Sequence, residues 1–281
     1  MNKPLLTALA TLVITGAGAA PAAATDRAAP AGGTAAARAV TFAGAVSLSN
    51  CSGSVIRLPA SRDDDPALVM SNGHCLETGF PAAGEVVVDR ASSRTFGLLD
   101  SAGTRVGTLR ANRIAYATMT DTDVALYRLT ATYAQIRNAY GIDALTLNDT
   151  RPAAGTAVTV VSGYWKRTYS CAVDGFAHRL KEGEWTWKDS IRYTPACDTV
   201  GGTSGSPVVD DATGRVVAVN NTGNEDGERC TVNNPCEVDA NGAVTVRQGV
   251  NYAQQTYRIP ACFGLGNKLD LGRSGCALPK P

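Results

Sequence analysis

Gly201-Gly202-Thr203-Ser204-Gly205-Ser206-Pro207 is the stretch on which the reading of this chain turns. A serine stands among glycines, directly ahead of the apolar run Pro207-Val208-Val209. The phrase suits a tight turn that enters a strand, the glycines supplying backbone angles that a Cβ resists. Gly/Ser-rich turns are common, so its weight comes from two stretches upstream. In Val69-Met70-Ser71-Asn72-Gly73-His74-Cys75 an apolar strand ends in Asn-Gly and delivers a histidine beside a cysteine. In Thr122-Asp123-Val124-Ala125-Leu126-Tyr127 an acid heads another apolar strand. Taken singly, His74 reads as a surface or core histidine, Asp123 as a strand-edge acid (with Asp121 as an alternative) and Ser204 as a turn serine. Together they supply the three groups of nucleophilic acyl transfer: a hydroxyl, a base to take its proton, and an acid to orient that base.

The rest of the chain fits an exported, strand-rich protein. It has 281 residues and a net charge of +1, so it carries no basic field for nucleic acid. Hydrophobic residues make up 44% and charged residues 18%, which suits a globular core. Short Val- and Thr-rich runs between turn signals predict strands at 42–48, 53–58, 67–71, 85–89, 95–99, 105–118 and 123–129. A second set is predicted at 156–163, 168–173, 190–195, 206–210, 214–220 and 243–252. A short helix is expected at 132–139, and a linker at 147–155, where Asn, Asp, Pro and Gly gather. The expected class is all-β, with β-rich domains at 41–147 and 148–260 and a Cys-containing tail at 261–281.

The N-terminus reads as a signal peptide over 1–24: Lys3, then an apolar Leu5 to Ala20, then the small residues Ala22-Ala23-Ala24. Residues 25–40 are Ala-, Gly- and Pro-rich and read as a disordered leader or pro-segment. No later segment has the length and apolarity of a membrane span. Eight cysteines, an even number, on an exported chain read as disulfides: Cys51, Cys75, Cys171, Cys197, Cys230, Cys236, Cys262 and Cys276. Metal binding is the weaker reading, because the only histidines are His74 and His178 and there is no C-x-x-C. Cys75 can pair with Cys51 and pin the histidine loop. The pairs Cys171–Cys197, Cys230–Cys236 and Cys262–Cys276 are one option among the many ways of joining the rest.

At these motifs the sequence resembles the chymotrypsin/trypsin-like serine peptidases, in particular their secreted bacterial members, including the glutamyl-endopeptidase-like branch. The resemblance spans about residues 41–260. Asn72-Gly73-His74-Cys75 is similar to the family's histidine motif, Asp123-Val124-Ala125-Leu126 to its aspartate motif, and Gly201 to Pro207 to its serine motif. The resemblance implies two six-stranded antiparallel β-barrels with the active site in the cleft between them. It implies His74 as general base, Asp123 as its orienting acid, Ser204 as nucleophile, and the amides of Gly202 and Ser204 as the oxyanion hole. Polypeptide substrates, no cofactor and a monomer are expected.

Two departures bear on function. Thr203 stands where the trypsin-like branch has an aspartate that pairs with a new N-terminal ammonium, so activation through that buried ion pair is not expected. Asp198 lies at the offset of the carboxylate that selects Lys or Arg in trypsin-like members, but its surroundings differ, with Val200 in place of a pocket cysteine. Thr199 matches a pocket residue of the glutamyl branch, whereas Asn220 replaces the histidine that reads acidic side chains there. The specificity wall is expected at 198–203 and 218–223, with Asp198, Thr199, Asn220 and Asn221 as its candidates, and the P1 preference stays open between basic and other side chains. Trp165, Trp185 and Trp187 read as core or hairpin packing, His178 as a surface residue, and Glu225, Asp226 and Glu228 as a solvated acidic loop rather than a calcium site. An esterase of the same chemistry and a non-catalytic binding homologue are the alternatives.

Overall fold

The computed structural model describes residues 39–281, so the signal reading of 1–24 and nearly all of the 25–40 leader lie outside the described residues. The first sheet contains β1 (Ala45–Ser47), β2 (Ser52–Arg57), β3 (Pro66–Ser71), β4 (Val86–Ala91), β5 (Thr95–Leu99), β6 (Arg105–Thr118), β7 (Val124–Thr132) and β8 (Leu145–Thr146). Six of them close a ring in the order β1-β5-β6-β7-β3-β2, with β2 returning to β1. Strand β4 is added on β6, and β8 pairs in parallel with β2.

The second sheet contains β9 (Ala157–Ser162), β10 (Arg167–Glu182), β11 (Trp185–Tyr193), β12 (Pro207–Asp210), β13 (Val216–Gly223), β14 (Cys236–Val238), β15 (Val244–Val246) and β16 (Asn251–Gln255). Its ring runs β11-β16-β13-β12-β9-β10 and closes through β10 and β11, with β14 and β15 added beyond β10. The fold is therefore the expected pair of six-stranded antiparallel barrels, each carrying two further strands.

Strand alternation explains the long apolar runs. Ala67 and Val69 of β3 face the interior of the first barrel, while Leu68 and Met70 enter a second cluster shared with Val161, Val209, Val216 and Val219 of the second barrel. Strand β7 divides in the same way, with Ala125 and Tyr127 inside and Leu126 in the shared layer. A strand that buries both faces reads as a continuous hydrophobic run rather than as alternation. The helix, α1 (Tyr133–Tyr140), starts on a reciprocal capping box between Thr132 and Gln135 and ends at Gly141 in the left-handed region.

The largest departure from the sequence reading is the β10–β11 hairpin. Strands were expected only at 168–173 and 190–195, yet pairing continues to Glu182 opposite Trp185 across a two-residue turn, Gly183-Glu184. Gly183 takes the positive φ of that turn (+55°). The tip leans on the first barrel: Trp187 Nε1 donates to Met119 O at 2.9 Å and Trp185 Nε1 to Pro81 O at 2.9 Å.

Four disulfides join Cys51–Cys75, Cys171–Cys197, Cys230–Cys236 and Cys262–Cys276. The last ties the tail, whose Pro279 carbonyl accepts from the Tyr116 hydroxyl at 3.0 Å. No helix among the described residues is long and apolar enough to cross a membrane.

Candidate active site

His74 sits in a single 3-10 turn, Gly73–Cys75, at the exit of β3, and the Cys51–Cys75 bond anchors that turn to the start of β2. Asp123 precedes β7, the antiparallel neighbour of β3, so pairing of the two strands brings acid and base together. The Asp123 carboxylate is fully buried and accepts three hydrogen bonds. Its Oδ1 takes the amides of Gly73 (2.6 Å) and His74 (3.1 Å), and its Oδ2 takes His74 Nδ1 (2.7 Å). Asn72 Nδ2 holds the Asp123 carbonyl at 2.8 Å. Gly73 is required sterically: a Cβ there would collide with the Thr118 carbonyl and press on Asp123 Oδ1.

With Nδ1 engaged as donor, the neutral tautomer leaves Nε2 as an acceptor, and Nε2 has no protein partner among the described residues. Burial alone would lower the His74 pKa. The Asp123 charge and hydrogen bond, with Glu182 beyond, outweigh burial and hold it above the usual imidazole range.

Ser204 sits in the turn before β12, next to β13. Its Oγ donates to the Asn221 carbonyl at 3.2 Å. The surrounding loop is fixed by neutral groups. Ser52, at the start of β2, donates its amide to Ser204 O (2.8 Å) and its hydroxyl to Gly202 O (3.1 Å). Thr203 is buried, donates its hydroxyl to Val200 O, and accepts from Asn220 Nδ2 at 3.1 Å. Trp165 Nε1 donates to Gly201 O at 2.7 Å.

A peptide unit is planar, with its N–H opposite its C=O, so holding the Gly201 carbonyl also sets the Gly202 N–H. Gly202 lies at φ +87° and Gly205 at φ +82°; a Cβ on the first would press on Tyr164 and Trp165, and on the second would collide with Ser52 O. Among the described residues, neither the Gly202 amide nor the Ser204 amide donates to a protein acceptor.

His74 and Ser204 line one cavity of about 200 Å³, together with Thr199, Thr203, Asn220 and Asn221. Asp198 is exposed and is not among its lining residues. Several lining residues went unrecognised as site candidates, Phe80, Trp185 and Glu182 among them. Phe80 meets the His74 ring edge-to-face at 5.7 Å. Trp185 meets Phe80 at 5.8 Å. Glu182, at the end of β10, is 7% exposed, with its Oε2 unpartnered.

The tryptophan reading also divides. Trp185 and Trp187 are buried, as packing residues should be, and also line the cavity. Trp165 lies in the turn of the β9–β10 hairpin and is 53% exposed, so it is not a core residue. His178, Glu225, Asp226 and Glu228 are exposed. Cys51, His74 and Cys75 gather as metal ligands do, but the two sulfurs are bonded to each other.

Residues 51–219 match the family model of the trypsin-like peptidase domain, which spans more than half of the chain. The chain belongs to the trypsin-like peptidase family. This peptidase is also similar to several solved bacterial proteases. Thermobifida fusca Protease A is 15% identical with a TM-score of 0.43, the likeness covering 77% of this chain and 92% of that one. The active form of the Rv3671c protease from M. tuberculosis is 16% identical, with a TM-score of 0.48 and coverage of 86% and 85%. The Nocardiopsis protease NAPase is 13% identical, with a TM-score of 0.42 and coverage of 75% and 89%. No curated protein matches the sequence.

Proposed function

We propose that this trypsin-like peptidase is a secreted serine endopeptidase that works through His74, Asp123 and Ser204. One observation carries the reading: a histidine held by a buried carboxylate, its Nε2 free, lines the same cavity as a loop serine flanked by two unbonded amides. Rotation about the Ser204 side chain releases Oγ from the Asn221 carbonyl toward the ring. Oγ then attacks the scissile carbonyl carbon and its proton passes to His74 Nε2. The carbonyl electron pair moves onto oxygen, where the Gly202 and Ser204 amides receive the charge. Collapse breaks the C–N bond, and His74 returns the proton to the leaving amine. Water then repeats the sequence on the acyl-enzyme.

Asp123 keeps Nδ1 protonated throughout and stabilises the imidazolium. Four disulfides suit an oxidising, extracellular setting and support the secretion reading of residues 1–24. The neutral Thr203–Asn220 contact supports a serine loop formed without a buried N-terminal ion pair.

The test is labelling by a fluorophosphonate together with cleavage of a denatured protein mixture. Wild type should label and cleave, and Ser204→Ala should do neither. Equal labelling of the two proteins, or none of wild type, refutes the reading.

A further inference from the structure

We infer that Glu182 makes this cavity selective for a cationic substrate side chain, a lysine or arginine close to the scissile bond. The inference rests on the peptidase reading above and extends it to the class of substrate.

Glu182 closes β10 at the hairpin tip, in the wall that faces His74 and Ser204. One carboxylate oxygen is satisfied by the Asn233 amide at 2.9 Å. The other, Oε2, is buried and makes no hydrogen bond of good geometry; burial raises the Glu182 pKa, opposed by the Asn233 amide and the nearby Thr222 hydroxyl. An unmatched buried acceptor of this kind costs about 1–3 kcal/mol, and more when charged, so it persists where a ligand completes it. The same wall holds further open groups. Asn220 Oδ1 and both polar atoms of the Asn221 side chain are buried without partners. The Asn220 orientation is fixed by its Nδ2 bond to Thr203 Oγ1, because that hydroxyl already donates to Val200 O.

Among buried side-chain atoms of this wall, the unpartnered groups are thus three acceptors, Glu182 Oε2, Asn220 Oδ1 and Asn221 Oδ1, against one donor, Asn221 Nδ2. An ammonium or guanidinium carries donors and no acceptor, which is the complement of that set. The charge agrees. Glu182 and Glu225 line the cavity, and no lysine or arginine does. Asp198, the acid at the trypsin-like offset, is exposed and does not line it. The selecting carboxylate therefore comes from the hairpin rather than from the segment ahead of the serine.

Binding to the Ser204→Ala protein, which cannot turn over, isolates the selection from the chemistry. Peptides are compared that differ only by lysine against norleucine at each of the three positions preceding the cleaved bond. At one position the lysine peptide should bind about 10- to 100-fold more tightly, the range expected for a charged hydrogen bond. Adding Glu182→Gln should bring the pair within about twofold, and adding Glu182→Lys should favour the matching glutamate peptide. An arm without substitution uses wild type: butylammonium should compete with substrate at concentrations where butanol does not.

Equal binding of lysine and norleucine peptides at all three positions overturns the inference, as does a lysine preference that survives Glu182→Gln. Selective binding by Ser204→Ala beside a wild type that cleaves nothing would support the inference while refuting the endopeptidase reading.

Discussion

Replacing Trp165 by phenylalanine tests how the oxyanion site is held in place. The substitution keeps most of the ring that packs edge-to-face on Tyr164 at 4.9 Å, but deletes the N–H that grips the Gly201 carbonyl at 2.7 Å. That carbonyl and the Gly202 N–H belong to one peptide unit, so Trp165 is a positioning residue for a proposed oxyanion donor. The lost bond joins two neutral groups at a half-exposed ring, and such a bond contributes about 0.5–1.5 kcal/mol. If all of it is expressed in the transition state, kcat falls by about 2- to 13-fold. The fall should stay below the ~100-fold that follows outright loss of an oxyanion donor, because Ser52 still holds the Gly202 carbonyl. KM should change little, since the ground-state carbonyl makes weaker use of the donor.

The assay is steady-state hydrolysis of one peptide substrate, with inhibition by a peptide aldehyde, whose adduct carries the oxyanion, and by the matching peptide alcohol. Aldehyde affinity should fall in step with kcat, while alcohol affinity holds. A rise in KM at constant kcat would refute the reasoning and make the ring a subsite wall instead. So would unchanged kcat in a variant of unchanged thermal stability.

Three further outcomes follow from the same geometry. Because the proposed mechanism needs His74 neutral to accept the serine proton, and its pKa is raised, kcat/KM should climb with pH through a midpoint above the ordinary imidazole value of about 6.5; a pH–rate profile centred below 6 contradicts this. Asp123→Asn should lower kcat on the order of 10⁴-fold and move that midpoint down, as single-turnover rates against pH would show. Joint replacement of Cys51 and Cys75 by alanine opens a loop with a sequence separation of 24 and should cost about 3 kcal/mol in denaturant unfolding, with activity lost first as the His74 turn loosens.

How much of the site was legible depended on where each group lies along the chain. His74, Asp123 and Ser204 each sit beside a hydrophobic strand, and glycines next to His74 and Ser204 mark enforced backbone geometry. Gly73 and Gly205 have no room for a Cβ, so that geometry leaves a trace in the sequence. Glu182 leaves no such trace. It follows Arg179-Leu180-Lys181, where charged residues face solvent on a strand that runs beyond its barrel, so the stretch looks like a polar loop. The signal that could have revealed it is the hairpin turn Gly183-Glu184 followed by Trp185-Thr186-Trp187, an alternation that buries both tryptophans. The exposure of Trp165 was missed for the converse reason: a large aromatic is usually buried, but this one lies at the surface in the β9–β10 turn, its indole N–H bonded to a loop carbonyl.

The sequence by itself determined the strand-rich class and the disulfide chemistry, and it supplied the proposal of export and of His74, Asp123 and Ser204 as base, acid and nucleophile. Those features depend on local backbone demands and on residue types, which a linear string records. The tertiary structure alone decided which groups share the cavity. It brought Glu182 and Trp185 to the wall, left Asp198 in solvent, and set Ser52 and Trp165 as the props of the serine loop. These placements arise from the closing of two barrels and the lean of one hairpin across them. They join residues more than a hundred positions apart, such as Ser52 and Gly202, and no local pattern encodes so distant a partner.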